Sequence, residues 1–402
     1  MKVALIVQRY GTEVVGGAEL LTRQVAEKLV SELGWQVDVL TTTAIDYQTW
    51  REEYQPGSSQ LNGVTVRRFP VTMQRNLPLF NFYNRFAARV LKRFARQSWF
   101  GVRELIEKLW YLLQGPRSPQ LLKQIAKTAD IYDAFIFSTY LYEPTVRGLP
   151  LVAKKSILVP CLHEEAPAYF SSTQRLLSLA PVFLLNTAAE QRLLNKLSPA
   201  SVKRSRVAGI GFDLPTLPAK VARGQTPYIL YLGRLSRGKN VDQLITMFEE
   251  YCRRHPAEQL ELWLAGAQEK DWQLPNSLRV KYCGFVDDAR KLELVAGARA
   301  VVNPSPLESL SIIAIEAMSL QVPLLLNGHC EVLRHYADNT ATVEAYYSTE
   351  DFVRLLGKIL KTDWQGDPVA RERLVQTAAW ARDQFSWQRV MNEYDTAVKS
   401  LQ

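Results

Sequence analysis

Cysteine is scarce in this chain. Its 402 residues include four, Cys161, Cys252, Cys283 and Cys330, and no two form a CxxC pair. A disulfide framework and a zinc knuckle are therefore disfavoured, and the four read as small buried apolar residues in a reducing compartment. No uninterrupted apolar run approaches the roughly 18 residues of a membrane span. The N-terminal MKVALIVQRYG has one lysine before a short apolar run and then charge, so it is expected to be a first β-strand rather than a signal peptide. There is no internal repeat and no low-complexity tract. The first strand is not followed by GxGxxG, which disfavours a nicotinamide-dependent enzyme. His255, His329 and His335 have no partners at metal-ligand spacing.

What is present suits a globular protein. Hydrophobic residues make up 47% and charged residues 22%, which excludes disorder across the whole chain. At roughly 100–200 residues per domain, the length points to two domains. The net charge of +9 is unevenly placed. Residues 1–212 hold 27 Lys and Arg against 16 Asp and Glu, a balance of +11, whereas 213–402 hold 22 against 24, a balance of −2. An acidic partner for the first half is one reading, and a solvated basic surface is the other.

The apolar pattern alternates between strand and helix. Val3–Val7 is a continuous apolar run, as a buried parallel strand requires. Ala18, Leu21, Val25, Leu29 and Leu33 then recur at helical spacing, and Gly34 ends that helix. Further strands are expected at Val37–Leu40, Ala134–Phe137, Ile157–Val159 and Val182–Leu185. The rhythm restarts with strands at Tyr228–Leu232, Leu260–Leu264, Val280–Cys283, Ala300–Asn303 and Pro323–Leu326, among helices at Val241–Cys252, Lys291–Ala296, Ser311–Ser319 and Thr349–Leu360. This predicts two tandem, doubly wound α/β domains of Rossmann type, with strand ends facing across a cleft. The aperiodic, proline-containing stretch 213–226 is the expected linker.

Residues 74–103 break the rhythm. They carry seven cations (Arg75, Arg85, Arg89, Lys92, Arg93, Arg96 and Arg103) and no acid. Phe82, Phe86, Val90 and Phe94 fall at steps of four. The pattern fits a basic amphipathic helix on anionic lipid, and equally a domain helix with its apolar face in the core.

Two segments carry candidate chemistry. In Tyr231–Asn240 (YLGRLSRGKN) a buried strand enters a turn bearing Gly233, Arg234, Arg237 and Lys239 just before a helix. Cations and a helix N-terminus at a strand's C-terminal end suit a diphosphate, although an ordinary charged turn looks the same. In Asn303–Glu316 (NPSPLESLSIIAIE), Glu308 precedes a helix and Glu316 lies more than a turn inside it. A carboxylate beside free helix-start amides can accept hydroxyl hydrogens while the amides hold an anion, although paired carboxylates also suit hydrolase acid–base work and Glu316 alone reads equally as a solvated helical residue.

These segments resemble the retaining glycosyltransferases of family 4 (glycosyl transferases group 1), bacterial polysaccharide-synthesis enzymes among them, which have the two-domain GT-B fold. Glu308 and Glu316-Ala317-Met318 match the family's paired acidic signature, preceded by Pro304-Ser305 and followed by Val322-Pro323. Gly233, Arg234 and Lys239-Asn240 match its phosphate turn, Leu264–Gly266 its Leu-x-Gly strand end, and Gly284-Phe285-Val286 its Gly-Phe-Val element. Gly16-Gly17-Ala18-Glu19 matches the glycine-rich loop at the first helix, where two glycines allow close approach of a donor phosphate. His163, in VPCLHEE, resembles the active-site histidine beside the donor sugar, and Glu164 and Glu165 are weaker candidates. One departure is Ser309-Leu310-Ser311 where the family usually has Gly-Phe-Gly.

The resemblance implies roles position by position. Arg234 and Lys239 would hold the diphosphate, Glu316 the ribose hydroxyls, and the backbone near Phe285 and Val286 the nucleobase. Glu308 would accept from sugar hydroxyls, Leu310 and Ser311 amides would help hold phosphate beside Ser309, and Gly16, Gly17, Gly233 and Gly266 would line the donor. His163, Glu308, Arg234 and Lys239 are the expected catalytic set. No metal or other cofactor is expected, in keeping with the absence of an Asp-x-Asp motif. The donor is expected to be a UDP-sugar, UDP-glucose first, and the acceptor a saccharide or lipid-linked saccharide in polysaccharide or glycoconjugate synthesis. Nucleic acid is not an expected partner. The expected location is cytoplasmic, peripheral on the membrane through residues 74–103. The last helix, with Val390, Met391, Tyr394 and Val398 on one stripe, is expected to cross back, giving domains 1–212 plus 384–402 and 227–383. The alternative is a non-catalytic relative that binds nucleotide sugar or membrane, with the altered 309–311 segment as its support. A sugar-nucleotide epimerase is disfavoured by the signature spacing.

Overall fold

The computed structural model describes residues 1–93, 100–213, 226–269, 272–273, 277–308 and 310–402, the side chains of 91–93 and 100 excepted. Residues 214–225 of the expected linker, Phe94 and Arg96 of the basic segment, and Ser309 lie outside the described residues. The chain forms two compact units, one of Met1–Ile210 with Trp387–Gln402, the other of Gly211–Ser386.

The first unit is built on strands β1 (Lys2–Ile6), β2 (Gln36–Thr42), β3 (Gly57–Leu61), β4 (Val64–Phe69), β5 (Ala134–Ser138), β6 (Ser156–Val159), β7 (Val182–Leu185) and β8 (Ser205–Val207). Their order is β3-β4-β2-β1-β5-β6-β7-β8, parallel throughout except for the β3–β4 hairpin. Val3 pairs with both Val37 and Ala134, so β1 lies between β2 and β5 and the order reverses there. Such a reversal opens a crevice beyond the strands' C-terminal ends. The apolar runs are buried on both faces, as helices flanking a parallel sheet require. The β3–β4 hairpin turns at Asn62 and Gly63, both at positive φ (50° and 81°), the geometry that favours Asn-Gly in two-residue turns.

The last helix, Trp387–Lys399, packs in this first unit. Its stripe of Val390, Met391, Tyr394 and Val398 is buried, Arg206 pairs with Glu393, and Lys28 Nζ lies 5.4 Å from the Trp387 ring centre. The apolar periodicity explains why it docks, since the stripe would otherwise face water.

The basic segment forms the helix Leu77–Arg93, followed by the helix Phe100–Gln114. Phe80, Tyr83 and Ala87 pack against Trp110, Tyr111 and Phe170. The Phe82–Phe86 stripe faces outward instead, at 67% and 45% exposure, with Leu79, Val102, Leu105 and Leu109 also exposed. Arg85 and Arg89 are exposed beside it. Arg75 is not a surface charge. It is buried between the Trp50 and Phe80 rings and donates to the carbonyls of Gln114 and Tyr47, and burial lowers its pKa to about 10. Among the described residues no helix is long and apolar enough to cross a membrane.

Among the described residues the second unit has six parallel strands, β9 (Tyr228–Leu232), β10 (Glu261–Ala265), β11 (Val280–Tyr282), β12 (Ala300–Asn303), β13 (Leu324–Asn327) and β14 (Val343–Tyr346), ordered β11-β10-β9-β12-β13-β14. Here the order reverses between β9 and β12, which places the loops after these two strands at the crevice. Those loops carry Gly233–Lys239 and Pro304–Ser311.

Candidate active site

In the second unit the turns after β9, β10 and β11 are laced together by backbone hydrogen bonds. Gly233 N–H donates to Ala265 O at 2.9 Å, Leu235 N–H to Ala267 O at 2.9 Å, and Gly266 N–H to Gly284 O at 2.8 Å. Gly266 sits at φ +131°, and a Cβ there would lie 2.0 Å from Gly233 O. The approach is backbone on backbone, so glycine is required on both conformational and steric grounds. The structure thus brings Gly233, Gly266 and Gly284-Phe285-Val286 together. Phe285 is exposed and, with Val286, Trp263 and Tyr282, lines a hollow of about 560 Å³.

The β9 turn also joins the loop after β12. Ser236 caps the short turn Arg237–Lys239, its Oγ accepting from Lys239 N–H, and Asn240 at φ 56° leads into the helix Val241–Arg254. Lys239 Nζ donates to Glu308 Oε1 at 2.8 Å and reaches Ser305 Oγ at 3.5 Å. Asn303 Nδ2 donates to Ser311 Oγ at 2.9 Å and lies 3.4 Å from Glu308 Oε1. Arg234 is half-exposed, its Nη1 3.8 Å from Glu269 Oε1, and its carbonyl accepts from Tyr231 OH at 2.8 Å. Together these supply two cations and a carboxylate at the crevice, an arrangement that can bind a diphosphate and hydroxyls.

Ser311 resolves the sequence departure in backbone terms. It lies at φ 60° and ψ 75° directly before the helix Ile312–Ser319. The serine therefore holds the left-handed conformation a glycine adopts readily, and its hydroxyl is tied to Asn303. Leu310 is buried, and its carbonyl accepts from Tyr336 OH. Glu316 is buried within the helix and pairs with Lys291, Nζ to Oε1 2.5 Å. Burial raises the Glu316 carboxyl above its ordinary range, and the Lys291 charge opposes that shift. Sequence reasoning missed Lys291, because only the fold brings it to a residue 25 positions away.

In the first unit the candidates lie in the loops after β1 and β6, two strands with β5 between them. Gly16 precedes the helix Gly17–Ser31, and a Cβ on it would meet Glu19 Oε2 at 2.2 Å, whereas one on Gly17 would meet nothing within 4 Å. Glu19 is buried, and its Oε1 accepts from Gln8 Nε2 at 2.8 Å, Arg9 Nε at 3.0 Å and Arg9 Nη2 at 2.5 Å. Arg9 in turn donates to the carbonyls of Ile45 and Val15, so this cluster shapes the glycine loop. Gln8 Oε1 accepts from Thr139 Oγ1 at 3.3 Å, and Tyr140 OH donates to Glu165 Oε1 at 2.8 Å. The network links the glycine loop after β1 to the His163 loop after β6. His163 itself is half-buried. Glu164 pairs with Lys196 at 2.6 Å and accepts from Tyr169 OH, and Glu165 is engaged by Tyr140, so both carboxylates have structural partners.

Below His163 lies a buried carboxylate that sequence reasoning also missed. Glu190 Oε1 accepts from Leu162 N–H at 2.7 Å, and Oε2 from Asn186 N–H at 2.6 Å, which joins the loops after β6 and β7. Burial pushes its carboxyl up to about 7.

Residues 215–379 match the family described as glycosyl transferases group 1. An uncharacterized glycosyltransferase of Methanocaldococcus jannaschii is 27% identical over 176 residues, 41% of this chain and 43% of that protein. A D-inositol 3-phosphate glycosyltransferase of Paenarthrobacter aurescens is 26% identical over 259 residues, 57% of this chain and 60% of that protein. The chain thus spans about half the length of these relatives. Among solved structures, Anabaena HepE in complex with UDP and glucose aligns over 100% of both chains with a TM-score of 0.65 and 15% identity. Sucrose-phosphate synthase from Thermosynechococcus elongatus aligns over 100% of this chain and 98% of its own, with a TM-score of 0.66 and 17% identity. Residues 215–379 of the second unit are thus similar to the glycosyl transferases group 1, and the chain has a GT-B fold.

Proposed function

We propose that the protein transfers a sugar from a UDP-sugar, glucose foremost, to a saccharide or lipid-linked acceptor, with retention of anomeric configuration, in polysaccharide or glycoconjugate synthesis. The observation that carries this reading is the convergence of Arg234, Lys239 and Glu308 at the strand-order reversal between β9 and β12. HepE, solved with UDP and glucose, supports the donor class through its shared fold.

In this reading the diphosphate takes up Arg234 and Lys239, displacing Glu308 from Lys239 and freeing it for sugar hydroxyls. The bond from the anomeric carbon to the phosphate oxygen breaks while the acceptor oxygen attacks on the same face. The acceptor proton passes to the departing phosphate oxygen, whose charge the two cations stabilise without metal. Phe285 and Val286 lie by the base, Glu316 by the ribose, and Gly16, Gly17, Gly233, Gly266, Leu310 and Ser311 along the donor. His163 hydrogen-bonds the sugar. The reading as a binding relative without turnover drew on 309–311, and the glycine-like backbone of Ser311 favours the enzyme instead.

The outward stripe of Phe82 and Phe86 beside Arg85 and Arg89 supports peripheral contact with an anionic membrane on the cytoplasmic side, where a lipid-linked acceptor would be met. The test is UDP release from UDP-glucose, with and without saccharide acceptors, in the presence of EDTA. Arg234→Ala and Lys239→Ala should each lower turnover by about 10²–10³, the range for losing one electrostatic stabiliser. Wild-type turnover in either variant, or loss in EDTA that magnesium restores, would overturn this assignment.

A further inference from the structure

Glu316 is not alone at its position in the fold. Lys291, in the helix Asp288–Gly297, places Nζ 2.5 Å from Glu316 Oε1 and 3.1 Å from Asp288 Oδ1. The Lys291 side chain is 20% exposed and that of Glu316 8%, whereas that of Asp288 is 95% exposed. The Lys291–Glu316 pair is therefore the sheltered part of the cluster. A lysine drawn this far from water is costly unless its charge is used. An ammonium has three N–H donors, and Glu316 and Asp288 account for two. Glu316 retains acceptor capacity, since an ionised carboxylate offers about four lone-pair sites. Donor and acceptor thus stand side by side.

We propose that Lys291 is a specificity-determining residue that reads the ribose diol together with Glu316. The carboxylate accepts the hydroxyl hydrogens and the ammonium donates to a hydroxyl oxygen. A vicinal diol offers both functions at this spacing, and a single buried carboxylate would satisfy only half of them. Lys291 also favours the ionised form of Glu316 against burial, so its loss weakens the carboxylate's grip as well. The inference rests on the nucleotide reading of this site and adds to it the residue that makes the site selective for ribose.

The test compares binding of UDP and 2′,3′-dideoxy-UDP to the full chain by titration calorimetry. Wild type should prefer UDP by about tenfold to hundredfold, the scale of hydrogen bonds to charged groups. Lys291→Met should bring that ratio close to one by weakening UDP alone, leaving the dideoxy nucleotide's affinity unchanged. Lys291→Arg, which keeps charge and donors, should restore most of the preference. If Lys291→Met folds poorly, Lys291→Met with Glu316→Gln removes both charges and should bind the two nucleotides alike, at the wild-type dideoxy affinity. An unchanged ratio in Lys291→Met, or equal weakening of both nucleotides, would overturn the inference and leave the nucleotide site standing. Failure of wild type to bind UDP at all would refute both.

Discussion

Substituting Glu190 by glutamine tests whether a buried carboxylate makes the first unit's stability depend on pH. Glu190 is only 3% exposed, and burial pushes its carboxyl up to about 7 although the amides of Asn186, Leu162 and Cys161 act in the opposite direction. In the unfolded chain a glutamate titrates near 4.3. Its folded pKa is thus the higher one. The stability it contributes is complete below about pH 4.3 and is lost as the pH climbs to about 7, where the folded state must also ionise. The gap between about 4.3 and about 7, at about 1.36 kcal/mol per pH unit, amounts to about 3–4 kcal/mol across that window. Glutamine has the shape of the protonated acid and does not titrate, so Glu190→Gln removes this slope. Its NH2 cannot accept from the Leu162 or Asn186 amide, which costs a constant amount at every pH, and relative to that constant the variant is expected to gain on wild type by about 3 kcal/mol between pH 4.5 and pH 8. The assay is urea unfolding at a series of pH values, read for residues 156–197 by pulsed hydrogen exchange, so that the first unit is followed by itself. A difference between the two proteins that stays constant from pH 4.5 to 8 would refute the reasoning.

Three further outcomes are expected. Gly266→Ala should destabilise the second unit by about 3 kcal/mol, because the new Cβ would meet a backbone oxygen at 2.0 Å and the residue sits at φ +131°; urea unfolding checks it. Ser311→Gly should be more stable than Ser311→Ala by about 1 kcal/mol, since both lose the bond to Asn303 and only alanine keeps the left-handed strain; paired thermal melts give the difference. Phe82→Ala and Phe86→Ala should cost less than about 1 kcal/mol of stability, as expected of exposed side chains, yet reduce salt-sensitive binding to anionic vesicles. Losses of several kcal/mol with no vesicle binding by wild type would contradict the outward orientation.

Most strands of both sheets were legible because parallel strands buried on both faces appear as apolar runs, although β14 (Val343–Tyr346) was not among those expected. Val182–Leu185, Tyr228–Leu232 and Ala300–Asn303 lie where the runs place them. The β3–β4 hairpin did not announce itself this way. Its outer strand, GSSQL, is polar and exposed, and the available signal was the Asn62-Gly63 turn. Strand β8 is only three residues long and leaves no run to read. In the helix Leu77–Arg93 the periodicity was visible, but not the face that packs. Phe80, Tyr83 and Ala87 form one apolar stripe and Leu79, Phe82 and Phe86 another, and only tertiary contacts choose between them. Motif spacing gave Arg234, Lys239, Glu308 and Glu316 as candidates. It could not give their partners, since Lys291–Glu316, Glu19–Arg9 and the Glu190 amide bonds join residues that the fold, not the sequence, makes neighbours.

The central claim is that the second unit holds a uridine diphosphate sugar. A thermal-shift series with UDP-, GDP- and ADP-glucose tests it most directly, because a ligand that binds only the folded state stabilises it by mass action, about 2.7 kcal/mol at a hundredfold excess over Kd. The account predicts that UDP-glucose raises the midpoint most, and that Lys239→Ala abolishes the shift while unfolding near the wild-type midpoint without ligand. No stabilisation by any of the three nucleotides, or an equal shift in Lys239→Ala, would contradict it.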